Sequence, residues 1–309
     1  MSDNELYKER SYAGCIGAAF EMLCANFATI FRRTWVPALV AALVGALSVL
    51  VPLPVVVAAS DVAPFFLAVG AQIAILILFL AAFAWMNAGV VTLLNAEQRR
   101  VNMLRCFRST ALFFGTSAVL FLLIVGSGFV LILSRYGEMP ATQWTILGAF
   151  ALVFLVLAVV MFVVYVPTVY SNMRYLVAGD CSLWSVFGKN YAVGWSHWGF
   201  LALVTFLIAL IVLVVSVVAG VPQVTLVLAE QVDNFGVMVL GDASDLPDNF
   251  LFLRYVVNFL TSFVLLYLCV WCELVCYFAY GRTEHRVRRK ADEAARKAAA
   301  SPSGDRFLV

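Results

Sequence analysis

The sequence predicts an all-α polytopic membrane protein: six transmembrane helices as three hairpins, each preceded by an interfacial amphipathic helix. Three observations carry this. The 309 residues are 64% hydrophobic and 12% charged, with a mean hydropathy of +0.98, whereas a soluble domain carries about 25% charge. Six apolar runs exceed the ~20 residues that a helix needs to cross ~30 Å of hydrocarbon. The cationic residues sit almost entirely on alternate connections between those runs.

The runs cover residues 35–57, 64–94, 111–133, 144–170, 199–224 and 253–280. Eighteen of the 20 Lys and Arg lie in the N-terminal segment, the second-to-third and fourth-to-fifth connections, and the C-terminal tail; only Arg135 and Arg254 lie opposite. The positive-inside rule then puts both termini in the cytoplasm, and an odd number of spans would break the alternation. No short apolar run near the start ends in a small-residue cleavage site, so the spans themselves are expected to direct insertion. The expected setting is a bacterial inner (cytoplasmic) membrane, N-in and C-in. None of the seven Cys falls on an outside connection, which argues against a disulfide framework.

In chain order, residues 1–10 are polar and expected to be loose. Residues 12–31 form an amphipathic helix with Ile16, Phe20, Leu23, Phe27, Ile30 and Phe31 on one face. Only Arg32, Arg33 and Thr34 separate it from the first span, too little for a hairpin, so it is expected to lie flat on the membrane. Span one carries Ala38, Ala42, Gly45 and Ala46, small residues that let helices approach closely. Pro52 and Pro54 end it and Asp61 marks an outside turn. Span three holds Gly126-Ser127-Gly128, a packing contact, and an outside loop follows at residues 134–143. Pro167 is expected to kink or end span four.

Residues 183–198 form a second flat helix, with Leu183, Trp184, Phe187, Tyr191, Trp195 and Trp198 on one face. Trp and Tyr gather where a bilayer meets water, because the ring is apolar and its N–H or O–H is wet. Span five is expected to run on toward Glu230, since no breaker follows Pro222. The outside loop holds Glu230, Asp233, Asp242, Asp245 and Asp248 without the spacing or Gly of a calcium loop, and reads as solvated acid. A basic helix over 283–300 closes the chain.

Aligning Asn26-Phe27-Ala28 with Asn190-Tyr191-Ala192, and Phe107 with Leu23 and Phe187, suggests three repeats, 11–95, 96–178 and 179–280. They make up a single membrane domain, 1–280, followed by a basic cytoplasmic tail, 281–309. A parallel triplication differs from the inverted repeats of many transporters. The flat Phe187-x-x-Asn190-Tyr191 segment with its Trp-rich re-entry, preceded by Val166-Pro-Thr-Val-Tyr170-x-Asn-Met-Arg174-Tyr, resembles bacterial six-helix membrane families. These include the membrane domain attached to some glycerophosphodiester phosphodiesterases, and DUF975-like proteins. The resemblance implies six spans with interfacial helices and no settled activity; the phosphodiesterase's soluble catalytic barrel has no counterpart here.

Catalytic chemistry is scarce. The two His, His197 and His285, read as surface residues, and there is no phosphate-binding loop, dinucleotide fingerprint, zinc-protease motif or serine-hydrolase elbow. No cofactor and no enzymatic activity are expected. On span six, Asn258, Ser262, Cys269, Cys272, Glu273, Cys276 and Tyr280 share one stripe. Three thiols on one rigid helix converge poorly on a metal ion, and a membrane helix tolerates Cys as a small apolar residue. Glu273 is the one acid inside a span, where a charge is costly and faces a cavity or a partner. Its candidate polar surroundings are Asn87, Asn258, Ser262, Cys272, Tyr170 and Arg174; the bland alternative is pairing with Arg174 or Arg282.

Three function classes follow. The first is a non-enzymatic scaffold or lipid-associated membrane protein, favoured by the missing chemistry. The second is a transporter or channel for a small solute or lipid using Glu273, which an aqueous cavity at Glu273 would favour. The third is an intramembrane enzyme. Expected partners are membrane lipids, with anionic lipid at the C-terminal tail, and no nucleic acid, because no aromatics interleave with the tail's cations.

Overall fold

Without water to satisfy the backbone, a chain this apolar crosses a membrane only as helix or closed barrel, and every long element here is helical. The structure is a computed structural model that describes residues 6–51, 62–95, 97–135, 143–178, 181–241 and 243–300. Among the described residues there are nine α-helices and no strand. They are α1 (Tyr12–Ala25), α2 (Phe27–Ala46), α3 (Val62–Asn95), α4 (Arg99–Arg135), α5 (Gln143–Tyr165), α6 (Thr168–Val177), α7 (Lys189–Ser196), α8 (Trp198–Phe235) and α9 (Phe250–Ala300). Six are long and apolar enough to cross a membrane: α2, α3, α4, α5, α8 and α9. The turn expected around Pro52, Pro54 and Asp61, most of the loop at 134–143, Asp242 and residues 301–309 lie outside the described residues.

Small residues set the tightest seam. Ala38, Ala41, Ala42 and Ala46 of α2 are fully buried, and α3 meets them with Ala82, Met86 and Val90. Gly89 of α3 passes the backbone of Arg33, where an added Cβ would stand 3.4 Å from the carbonyl oxygen. Consecutive helices α2/α3, α3/α4, α4/α5 and α8/α9 pack against each other, and α9 also packs on α1, α2 and α6. Gly128 is the packing contact expected of it: a Cβ there would meet Val153 of α5 at 2.6 Å. Pro222 does not stop α8, which continues to Phe235. On the far side Arg254 pairs with Glu230, tying α9 to α8.

Four expectations are corrected. The helix expected over residues 12–31 ends at Ala25, not Phe31. Asn26 sits off-helix at φ −114°, ψ 16°, and its amide donates to the Met22 carbonyl, the local competition that makes Asn a helix breaker. Residues 27–31 therefore belong to the span helix. Second, no separate helix precedes span three, because α4 runs unbroken from Arg99. Its one Asn in that turn, Asn102, is fully buried and spends its amide on Asn95 and Thr92 rather than on its own backbone. Third, the 183–198 segment is a 3-10 turn (Leu183–Val186) and the short α7, split by Gly188 at φ −108°, ψ −124°.

Fourth, residues 6–10 are not loose. Leu6 is buried against Gly281, whose missing Cβ would lie 2.6 Å from the Leu6 carbonyl oxygen. Arg10 stacks on Phe278 at 4.8 Å, Arg288 on Tyr7 at 4.2 Å, and Glu9 accepts from Arg286 at 2.7 Å. That ion pair holds the Glu9 carboxyl below its ordinary range. The strap lies across α9, which passes through position 280 without a break, and Gly281, Arg282, Thr283 and Glu284 are buried.

Candidate functional site: an intramembrane cavity at Glu273

A carboxylate on a membrane helix must turn toward partners, water or a cavity. Glu273 turns into a cavity of about 500 Å³. One wall is α9, with Cys269, Cys272 and Glu273; the second is α3, with Phe83 and Asn87. The third is α4, with Cys106, Ser109, Phe113 and Ser117, and α6 closes one end with Asn172 and Met173. α4 has no packing seam with α9, so the cavity is the space between them. Its rim includes exposed residues, Cys269 and Phe114, on the side where lipid would lie.

Glu273 is half-buried along its stem, but its Oε2 is screened from solvent and meets no hydrogen-bond donor of the protein. Ser109, Asn172 and Ser117 of the lining are engaged elsewhere. The Ser109 hydroxyl donates to Asn172 Oδ1 at 2.7 Å, and Ser117 and Thr116 each share a hydrogen bond of 2.8 Å with the Tyr165 hydroxyl. The cavity is thus largely apolar, with the Glu273 side chain in its wall and one oxygen of that carboxylate screened from solvent and without a donor.

The expected cluster divides into three places. Asn87 and Cys272 share the cavity with Glu273. Tyr170 and Arg174 do not reach it, and the alternative of an Arg174 or Arg282 partner fails as well. Tyr170 is fully buried and donates to Glu284 Oε2 at 2.7 Å; Arg174 donates to the Tyr170 hydroxyl at 3.0 Å and lies 3.9 Å from Glu284. Arg288 completes this group on Glu284 Oε1 at 3.1 Å. Arg282 instead stacks on Phe200 at 3.6 Å. Asn258 lies toward the opposite end of α9, beside Gln223 and Arg254, and Ser262 is half-buried on the same stretch. Asn258 is about 22 Å of helix from Glu273 at ~1.5 Å per residue.

Sequence reading missed Asn172, Ser109 and Ser117 as cavity residues and Glu284 as a buried hub. Asn172 follows Tyr170 by two positions and Ser109 hides in a basic connection, so neither stands out by periodicity. The expectation of surface His is also revised: His197 and His285 are half-buried, each with one ring nitrogen screened and unpartnered.

The predicted aromatic face takes an unexpected form. Phe187, Tyr191, Trp195 and Trp198 stack in series at 6.0–6.4 Å, and the series continues to Phe113 of α4 at 6.1 Å and Phe162 of α5 at 6.5 Å. Such ring pairs add packing energy beyond area burial. Trp184 stands apart, 79% exposed. Pro167 ends α5, and the Tyr191 hydroxyl donates to the Val164 carbonyl at 3.2 Å, satisfying backbone that the break leaves open. A scan against family models and searches of curated proteins and solved structures return no match for this chain.

Proposed function

We propose that this protein is a carrier or binding protein for a small amphiphilic molecule, taken from the lipid into the cavity at Glu273. The observation that carries it is the Glu273 side chain, its Oε2 buried and without a protein donor, in the wall of about 500 Å³ of space between α3, α4, α6 and α9. That volume is in the range of small-molecule sites, which combine apolar walls with a few polar anchors. An apolar body fits the walls, and a cationic or hydrogen-bond-donating group fits the carboxylate. A scaffold needs no such cavity, and a well-packed apolar residue would cost less there than an unpaired acid. The reading includes three hairpins with both termini cytoplasmic, α1 and α7 at the cytoplasmic interface, and an inner-membrane location.

Tetraphenylphosphonium, a lipophilic cation, is the probe. The purified protein is expected to bind it, and Glu273→Gln to weaken binding on the order of tenfold, as loss of a charged contact of about 1.5 kcal/mol would. A lipid-soluble carbodiimide is expected to add to the Glu273 carboxyl, giving an acylurea on that peptide, and the cation to protect it. Equal binding by wild type and Glu273→Gln overturns the reading. Orientation is checked separately. In a Cys-depleted background, an impermeant maleimide should label a Cys at Ser244 on intact cells and leave one at Ser303 unlabelled.

A further inference from the structure

Cations on the cytoplasmic side of a membrane protein are ordinarily explained by topology alone, and those that pair with carboxylates need no other partner. The basic helix end conforms: Arg286 pairs with Glu9, Arg288 with Glu284, and Arg289 with Glu9 and Glu293. A different group does not. Arg32 and Arg33 at the start of α2 and Arg99 at the first residue of α4 line a single cleft of about 650 Å³. No carboxylate lines it, and among the described residues none of the three guanidinium groups has an ion-pair partner.

The cleft is continuous with apolar surface. Trp85 of α3 forms its wall with Val36 and Pro37 of α2, so the charged rim passes directly into side chains of two spanning helices. The seam beneath is tight, because Gly89 brings α3 so close to α2 that an added Cβ would stand 3.3 Å from Thr34 and 3.4 Å from the Arg33 carbonyl oxygen. Three like charges brought together by α2 and α4 repel one another unless an anion sits among them. Guanidinium forks match phosphate oxygens in pairs, which an ammonium does not. An interfacial Trp beside them suits a lipid glycerol region better than bulk water.

The geometry points to a specific site for the headgroup of an anionic glycerophospholipid, of the phosphatidylglycerol class, held by Arg32, Arg33 and Arg99 with its acyl chains along Trp85, Val36 and Pro37. This moves the anionic-lipid contact from the C-terminal tail to the junction of α2, α3 and α4. It is independent of the cavity at Glu273, to which none of these residues contributes.

The test is native mass spectrometry of the full-length protein, titrated in detergent with dioleoylphosphatidylglycerol or dioleoylphosphatidylcholine. Wild type should retain phosphatidylglycerol in preference, on the order of tenfold for three screened contacts. Arg32→Gln/Arg33→Gln/Arg99→Gln should lose that preference, and Arg296→Gln/Lys297→Gln in the tail should keep it. Because the triple change also removes topogenic charge, Val36→Glu serves as a second variant. It leaves all three arginines in place, puts a carboxylate in the cleft at an exposed position, and should also lose the preference. Preference surviving in either cleft variant overturns the site, as does equal loss in the tail variant. Displacement of the retained lipid by millimolar inorganic phosphate would assign the cleft to free phosphate instead and overturn the lipid assignment.

Discussion

Glu273 and Glu284 lie on one face of the same helix, about three turns apart, and their surroundings are opposite. Glu284 is 6% exposed and satisfied by Tyr170, Arg174 and Arg288. Glu273 keeps one screened oxygen without a donor, in a cavity with an apolar majority of walls. Around Glu284 the chain is fastened from two directions: the 6–10 strap, which holds Arg286 and Arg288, and α6, which brings Tyr170 and Arg174. Around Glu273, α4 stands off α9. The difference separates two uses of a buried carboxylate. One closes a network and holds helices in place. The other leaves capacity for something the protein does not supply.

The largest expected effect follows from that contrast. Glu284→Leu leaves the Tyr170 hydroxyl and Arg288 without their acceptor and Arg174 without its counter-charge. Removing one partner of a buried ionic group costs about 3–5 kcal/mol, so the detergent melting midpoint should fall sharply. Glu273→Leu removes a carboxylate with no protein partner and should leave stability unchanged or raised. Equal destabilisation by the two changes would erase the distinction between the sites.

A smaller effect tests whether the junction of α5, α6 and α7 is more tightly specified than the C-terminal half of α4. A Cβ on Gly194 would stand 2.3 Å from the Pro167 carbonyl oxygen, so Gly194→Ala forces α7 away from the end of α5. Overpacking of this kind costs about 1–3 kcal/mol. An added Cβ on Gly126, in the C-terminal half of α4, would meet nothing within 4 Å, and Gly126→Ala should be neutral. Similar melting curves for both variants would show that α7 yields freely.

The smallest effect is a pH dependence of the strap. Arg286 holds the Glu9 carboxyl below its ordinary value of 4.5. A depressed carboxyl contributes stability that is present above the unfolded value and lost as pH falls through the folded one. Once corrected for the intrinsic pH dependence of the chemistry, amide exchange over residues 6–10 should therefore stay slow at neutral pH and quicken only as pH falls below the ordinary carboxylate value. Glu9→Gln should quicken it at neutral pH and remove the acid step. An acid step that persists in Glu9→Gln would assign it to another group.

Element number, class and rough position were legible because apolar length and cation placement are local properties of a chain in a membrane. So was Glu273, since an acid inside an apolar run stands out without any knowledge of its neighbours. Tyr170 and Arg174 lie on the same short stretch as Asn172, and the sequence could not tell which would face Glu273. At 100° per residue, Asn172 points to Ser109 and the cavity while Tyr170 and Arg174 point to Glu284.

By itself the sequence determined an all-helical chain with six helices able to span a membrane, since backbone groups in hydrocarbon have no other way to be satisfied. Only the tertiary structure decided which polar groups meet. It placed Glu284, read from sequence as part of a basic tail, in the core, because the strap and α6 cover it. It left Glu273 beside a cavity, because α4 packs on α3 and α5 rather than on α9. Helix faces follow from local periodicity, but the rotation and spacing of one helix against another follow from packing between residues far apart in sequence. That packing separated the fastened carboxylate from the free one.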